Sequence, residues 1–218
     1  MRLRQLYAYL HQAYGPQHWW PADSPFEVMV GAVLTQNTAW SNVEKAITNL
    51  KSHHHLDAEA IAKATHAQLA RWLKPSGYFN IKAKRLQNFC RWYLAQGGYD
   101  RLNLLDTMAL RKALLGVNGI GPETADDIVL YAFHRPVFVI DAYTRRLLTR
   151  LALIAGSESY EELRTFCEKG LARVDEQVKV FNEFHALIVM HAKVACKKKA
   201  LCAICAIERH CPKLGVTL

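Results

Sequence analysis

Three features of this sequence predict an all-α fold. Apolar residues recur at helical spacing almost throughout, strand-like alternation is nearly absent, and capping residues or prolines stand just ahead of the periodic runs. Leu3, Leu6, Tyr7 and Leu10 make the first stripe, which Gly15-Pro16 ends. Ser24-Pro25 opens the second, carried by Phe26, Met29, Val30, Val33 and Leu34. Ser41 is expected to open the third, with Val43, Ala46, Ile47 and Leu50 on its buried face. His53-His54-His55 cannot all face one metal from a helix and is read as a solvated turn. Pro75-Ser76-Gly77, Gly97-Gly98, Gly119-Ile120-Gly121-Pro122 and Gly156-Ser157 punctuate the remainder, while Asp106 and Ser159 mark further helix starts. About ten short helices follow, most of about 8 to 16 residues. One short apolar run, Pro136 to Ile140, reads as extended, and it ends at Asp141.

The chain has 218 residues, 51% of them hydrophobic and 22% charged, enough for a sizeable core and incompatible with global disorder. No run approaches the roughly 18 apolar residues of a membrane helix, and Met1-Arg2-Leu3-Arg4-Gln5 lacks the apolar core of a signal peptide. A cytoplasmic, nucleoid-associated protein is therefore expected, without a membrane partner. Lys plus Arg exceed Asp plus Glu by 28 to 19, a net charge of +9 that favours an anionic polymer as partner. Of the six cysteines, Cys90 and Cys167 sit beside apolar residues and read as buried small hydrophobes. Cys196, Cys202, Cys205 and Cys211 crowd the C-terminal region instead, a clustering that reads as metal ligation in a reducing compartment.

The chemistry concentrates in three motifs. In Leu114-Leu115-Gly116-Val117-Asn118-Gly119-Ile120-Gly121-Pro122-Glu123-Thr124-Ala125 a helix, a glycine hairpin and a second helix start follow one another. Gly119 and Gly121 are expected to take positive φ and to let a phosphate approach the backbone, beside the unpaired N–H groups of the new helix. Val117, Gly119, Ile120, Gly121 and Thr124 are thus the candidate DNA-backbone contacts. Twenty residues after Gly121 stands Asp141, at the end of the extended run and the start of another helical pattern. By itself it is a good helix cap. The cysteine quartet follows, its gaps five, two and five residues long, among Lys193, Lys197, Lys198, Lys199, Arg209 and Lys213. Four thiolates can hold zinc or a [4Fe–4S] cluster, and spacing alone favours neither strongly.

Hairpin, spacer and aspartate together resemble the helix-hairpin-helix, Gly-Pro-Asp (HhH-GPD) superfamily of DNA glycosylases, and the quartet resembles the iron–sulfur loop of its endonuclease III relatives. Its first gap is one residue shorter than theirs. The resemblance runs from Trp19 to Cys211. It implies a two-lobed helical fold with a C-terminal [4Fe–4S] loop held by Cys196, Cys202, Cys205 and Cys211, the basic loop lying along phosphates. The expected lobes are residues 23–132, carrying the hairpin, and residues 1–22 with 133–218, carrying the cluster, with the active site in the cleft between them. Asp141 is the implied catalytic carboxylate. Bifunctional relatives carry a lysine nucleophile just after the hairpin; here that position is Glu123, which cannot form an imine. The implied activity is that of a monofunctional hydrolase without an efficient lyase step.

Trp19-Trp20-Pro21, Leu34-Thr35-Gln36-Asn37-Thr38 and Pro75-Ser76-Gly77-Tyr78-Phe79-Asn80 resemble the endonuclease III-type 3-methyladenine glycosylases. Trp19, Trp20, Pro21 and Trp40 are the implied base pocket, with Trp40 first for stacking. Gln36 or Asn37 is the implied filler of the gap left by the flipped nucleotide, since an amide can pair with the orphaned base. The expected partner is double-stranded DNA with a damaged base, bound by a monomer. Two rivals remain: a uracil, thymine or other pyrimidine-lesion glycosylase of the same superfamily, and a non-catalytic DNA-binding module in which Asp141 is only a cap.

Overall fold

The computed structural model describes residues 1–172 and 174–216. Among them are twelve α-helices, short 3-10 turns and no strand. They divide into two compact units, Met1–Pro21 with Pro136–Leu218, and Ala22–Arg135.

In the 22–135 unit, α2 (Pro25–Leu34) is the central element. Its residues from Glu27 to Leu34 are all buried, as expected of a helix apolar on every side. Ser24 caps it by accepting from the Glu27 N–H, and Pro25 occupies its first turn. Around it pack α3 (Trp40–Ser52), α6 (Phe79–Ala95) and α9 (Pro122–Asp127), which runs on into one π-helical turn at Ile128–Ala132. The small helices α4 (Ala58–Lys63) and α5 (His66–Trp72) lie on α6. Helices α7 (Gly98–Asn103) and α8 (Thr107–Leu115) lead to the hairpin, Asp106 capping α8 through the Met108 and Ala109 N–H groups. Ser41 does not start α3: Ala39 is the N-cap and Ser41 lies within the first turn. The stripe of Val43, Ala46, Ile47 and Leu50 is buried as its spacing requires, so the register held while the boundary moved.

In the other unit, α1 (Leu3–Tyr14) buries Leu3, Leu6 and Leu10 and packs on α11 (Tyr160–Gly170) and α12 (Gln177–Val194). Helix α10 (Ala142–Arg150) packs on α12 as well, whose Phe181, Phe184, Leu187 and Ile188 form the core. The run Val137–Ile140 is neither helix nor strand, and it is buried. With no strand beside it, its backbone donors find side chains of α11: the Phe138 N–H reaches Glu168 at 3.1 Å and the Ile140 N–H reaches the Tyr160 hydroxyl at 3.3 Å. Cys90 and Cys167 are buried, and burial pushes both thiols far above their ordinary range, so both are inert. No helix among the described residues is long and apolar enough to cross a membrane.

Candidate active site and nucleic-acid interface

The hairpin joins α8 to α9 through Gly116 to Gly121. Gly119 has φ +98°, and a Cβ there would collide with the Arg85 stem, so glycine is required twice over. Gly121 corrects the expectation of a second positive φ. At φ −93° it is an ordinary N-cap, and what distinguishes it is open space, with no atom within 4 Å of where a Cβ would stand. Val117, Ile120 and Thr124 are buried, so their side chains anchor the loop and only their backbone groups can face a phosphate. Beneath, Arg111 of α8 grips Asp126 of α9 with Nε–Oδ1 2.5 Å and Nη2–Oδ2 3.1 Å, a sealed fork that sets the two helices against each other. Sequence reading missed this pair; two acids, Asp126 and Asp127, inside an apolar run were its signal. Glu123 is exposed in the first turn of α9, where an acid suits the helix dipole.

At the end of α2, buried Lys82 donates to the Leu34 carbonyl at 2.8 Å and the Ser76 carbonyl at 2.6 Å. Desolvation, with Arg85 nearby, lowers its pKa to about 8. Gln36 is turned toward the hairpin: its Nε2 donates to the Gly119 carbonyl at 3.2 Å and to Thr124 Oγ1 at 2.9 Å, and its Oε1 accepts from Arg85 Nη1. Asn37 is exposed with φ +55°. Trp40 is half-buried and donates from Nε1 to Glu44 Oε1 at 2.9 Å.

In the other unit, Trp19 and Trp20 meet edge to face, their centroids 6.0 Å apart, with Lys193 Nζ 5.7 Å from the Trp19 ring centroid. Both rings are half-buried, and Pro21 is exposed. Asp141 is the N-cap of α10, its side chain 12% exposed. Oδ1 accepts from the Thr144 N–H at 2.6 Å, and Oδ2 stands 3.6 Å from Nε2 of His185, a buried residue of α12. Burial alone would raise this carboxyl's pKa; His185 and the Thr144 N–H outweigh it and hold the group below the usual carboxylate range. Asp141 is therefore an anion at neutral pH. His185 was also missed: on the stripe with Phe181, Phe184 and Ile188 it looks like one more core position.

Cys196, Cys202, Cys205 and Cys211 line one small pocket that opens to solvent. Arg150 donates to Cys196 Sγ at 3.3 Å, the Lys213 N–H to Cys211 Sγ at 3.3 Å, and His191 Nε2 lies 3.7 Å from Cys205 Sγ. Arg150 also donates to the Lys197 carbonyl at 2.6 Å and the Lys198 carbonyl at 2.8 Å, holding the loop to α10. Burial, then repulsion among the thiolates, raises the pKa of Cys205 and Cys211, a cost that a bound cation removes. Among the described residues no three His, Cys, Asp or Glu gather closely enough to hold one metal ion. A cubane differs from a single ion in taking one thiolate per iron around its corners, and four thiols on a cavity wall with N–H donors to sulfur suit that demand.

Residues 30–173 match the model of the HhH-GPD superfamily base excision DNA repair proteins. The chain belongs to that superfamily. It is 43% identical over 210 residues, 95% of this chain and 94% of its relative, to a Methanocaldococcus jannaschii protein assigned as a DNA repair glycosylase, MJ1434. A solved Helicobacter pylori 3-methyladenine DNA glycosylase, MagIII, bound to 1,N6-ethenoadenine, superposes with TM-score 0.78 at 29% identity, covering 88% of this chain and 98% of that one. An endonuclease III in a non-covalent DNA complex gives TM-score 0.82 at 18% identity over 97% and 94% of the two chains, which establishes the shared fold. The HhH-GPD chain described here is thus a DNA glycosylase of base excision repair with an endonuclease III-like helical fold.

Proposed function

We propose that this HhH-GPD protein is a monofunctional glycosylase that hydrolyses the bond between deoxyribose and a flipped alkylated purine such as 3-methyladenine in duplex DNA. The observation that carries the reading is Asp141: a nearly buried carboxylate, held below the usual carboxylate range by His185 and the Thr144 N–H, with its second oxygen 3.6 Å from Nε2 of His185. Departure of the base builds positive charge on the sugar, and a fixed anion in a poorly hydrated site stabilises that charge and orients the attacking water. Glu123 stands where a bifunctional relative has its lysine, so water is the nucleophile and the product is an intact abasic site.

An alkylated purine is electron-poor and already a good leaving group, so aromatic stacking selects it without strong acid catalysis. Trp40, Trp19, Trp20 and Pro21 are the pocket residues in this reading, and the likeness to the H. pylori 3-methyladenine enzyme supports it. The hairpin backbone from Val117 to Gly121, with Thr124 behind it, receives phosphates. Cys196, Cys202, Cys205 and Cys211 would hold a [4Fe–4S] cluster, which when bound supplies a stable, charged scaffold for the basic loop. A monomer acting on DNA in the cytoplasm completes the proposal.

Base release from methylated DNA and from lesion-bearing duplexes, with and without alkali, tests it. The expected result is free methylpurine, with strand breaks only after alkali. Release of uracil or thymine would move the specificity to the pyrimidine rivals, no release would favour the DNA-binding module, and breaks without alkali would require a lysine elsewhere. The purified protein should be brown with broad absorbance near roughly 400 nm; a colourless, zinc-bearing protein would overturn the cluster.

A further inference from the structure

Gln36 is the implied gap filler, yet all but one of its amide's hydrogen-bonding positions are taken within its own unit. Nε2 has two protons, and the Gly119 carbonyl and Thr124 Oγ1 take both. Oε1 accepts from Arg85, leaving one lone pair. The Arg85 stem also fills the space that Gly119 leaves by lacking a Cβ, so the same side chain touches the hairpin and orients the amide. Lys82 fixes the backbone just before Gln36 through the Leu34 carbonyl. Four segments, the end of α2, α6, the hairpin and the start of α9, therefore meet at one side chain.

We infer that Arg85 is a positioning residue that locks the Gln36 amide to the hairpin, so that a phosphate grip on the hairpin fixes where that amide meets the space left by a flipped nucleotide, which it reads as a hydrogen-bond acceptor. The inference deepens the function proposed above and rests on the reading of Gln36 as the filler of the gap left by the flipped nucleotide. Arg85 acts through Gln36, not on the reacting atoms. The stem under Gly119 is common to arginine and lysine, but the planar guanidinium holds the amide oxygen in one direction, which a freely rotating ammonium does not.

The test is a double-mutant cycle on the full chain, read as affinity for an undamaged duplex and for the same duplex carrying a tetrahydrofuran abasic analogue. Wild type should prefer the analogue. R85M and Q36M should each reduce that preference about tenfold, the size of one lost hydrogen bond to a charged group, and the double variant should lose no more than either alone. The loss should be larger on the analogue than on the undamaged duplex, the salt slope should be the same in R85M as in wild type, and R85K should not restore the preference. Additive losses would overturn the inference. Equal losses on both duplexes would reduce the trio to an ordinary brace and overturn it as well. So would a salt slope lowered by about one with recovery in R85K, which would make Arg85 a phosphate contact. If R85M does not fold, R85K and Q36M complete the same cycle. Because the cycle reads binding alone, an enzyme that excises some other base still gives the expected result. A wild type indifferent to the abasic analogue would remove the duplex-filling element and the inference with it.

Discussion

Asp126 and Asp141, one in each unit, have opposite fates. Asp126, under the hairpin, is wholly sealed and met by both arms of the Arg111 fork. Asp141 is 12% exposed, takes one short N–H bond, and leaves its other oxygen 3.6 Å from an imidazole. A carboxylate that has spent its lone pairs on a guanidinium can hold helices together but cannot meet a developing cation. One held ionised with coordination to spare can. Both are shielded from solvent; in the function proposed above, the missing guanidinium is what leaves Asp141 able to act on a developing cation.

The sharpest test of this contrast is Asp141→Asn. It should lower single-turnover base release by about 10³-fold or more, the scale of a lost electrostatic stabiliser, with DNA affinity kept. Its stability should shift by less than about 1 kcal/mol, because asparagine caps helices as well as aspartate. Asp126→Asn or Arg111→Met should do the reverse, costing about 3–5 kcal/mol in denaturant unfolding by stranding a buried charge, whereas replacing both with apolar residues should recover much of the loss. If D126N were tolerated while D141N unfolded the chain, the distinction would collapse.

A smaller effect is expected at His185. With Asp141 depressed below the usual carboxylate range, activity persists as pH falls and is lost only when the folded-state pKa is crossed. In His185→Leu the raising influence of burial is less opposed, so the acid limb of the rate profile should move to higher pH. An unmoved limb would remove His185 from the site. The two hairpin glycines give the last pair. Gly119→Ala should cost about 1–3 kcal/mol, being strained in φ and blocked by Arg85. Gly121→Ala should fold within about 0.5 kcal/mol of wild type, since its φ is ordinary and the space is open.

What was legible in the sequence is what depends on residue type at short range. The Gly119 turn, the Asp141 cap and the C-terminal thiols each follow from local geometry or spacing, as do the stripes of α1, α2 and α3. Arg85 with Gln36, Arg111 with Asp126 and Asp141 with His185 were not legible, because each joins elements separated along the chain and one partner always looks ordinary by itself. Gly121 shows a related limit. Its motif position shows that it can take positive φ and let a phosphate approach, and only the structure shows that the φ is ordinary and the surface open.

One feature of the architecture bears on how the protein is made. The stripe of α1 finds its partner in α12, with the whole 22–135 unit intervening in the chain. As the polypeptide emerges from the ribosome, that contiguous unit can finish folding early, while Leu3, Leu6 and Leu10 stay uncovered until α12 has been synthesised. The unit that carries the hairpin can therefore be folded while α12 is still to be made, and in that interval α1 is a client for whatever shields apolar surface during synthesis.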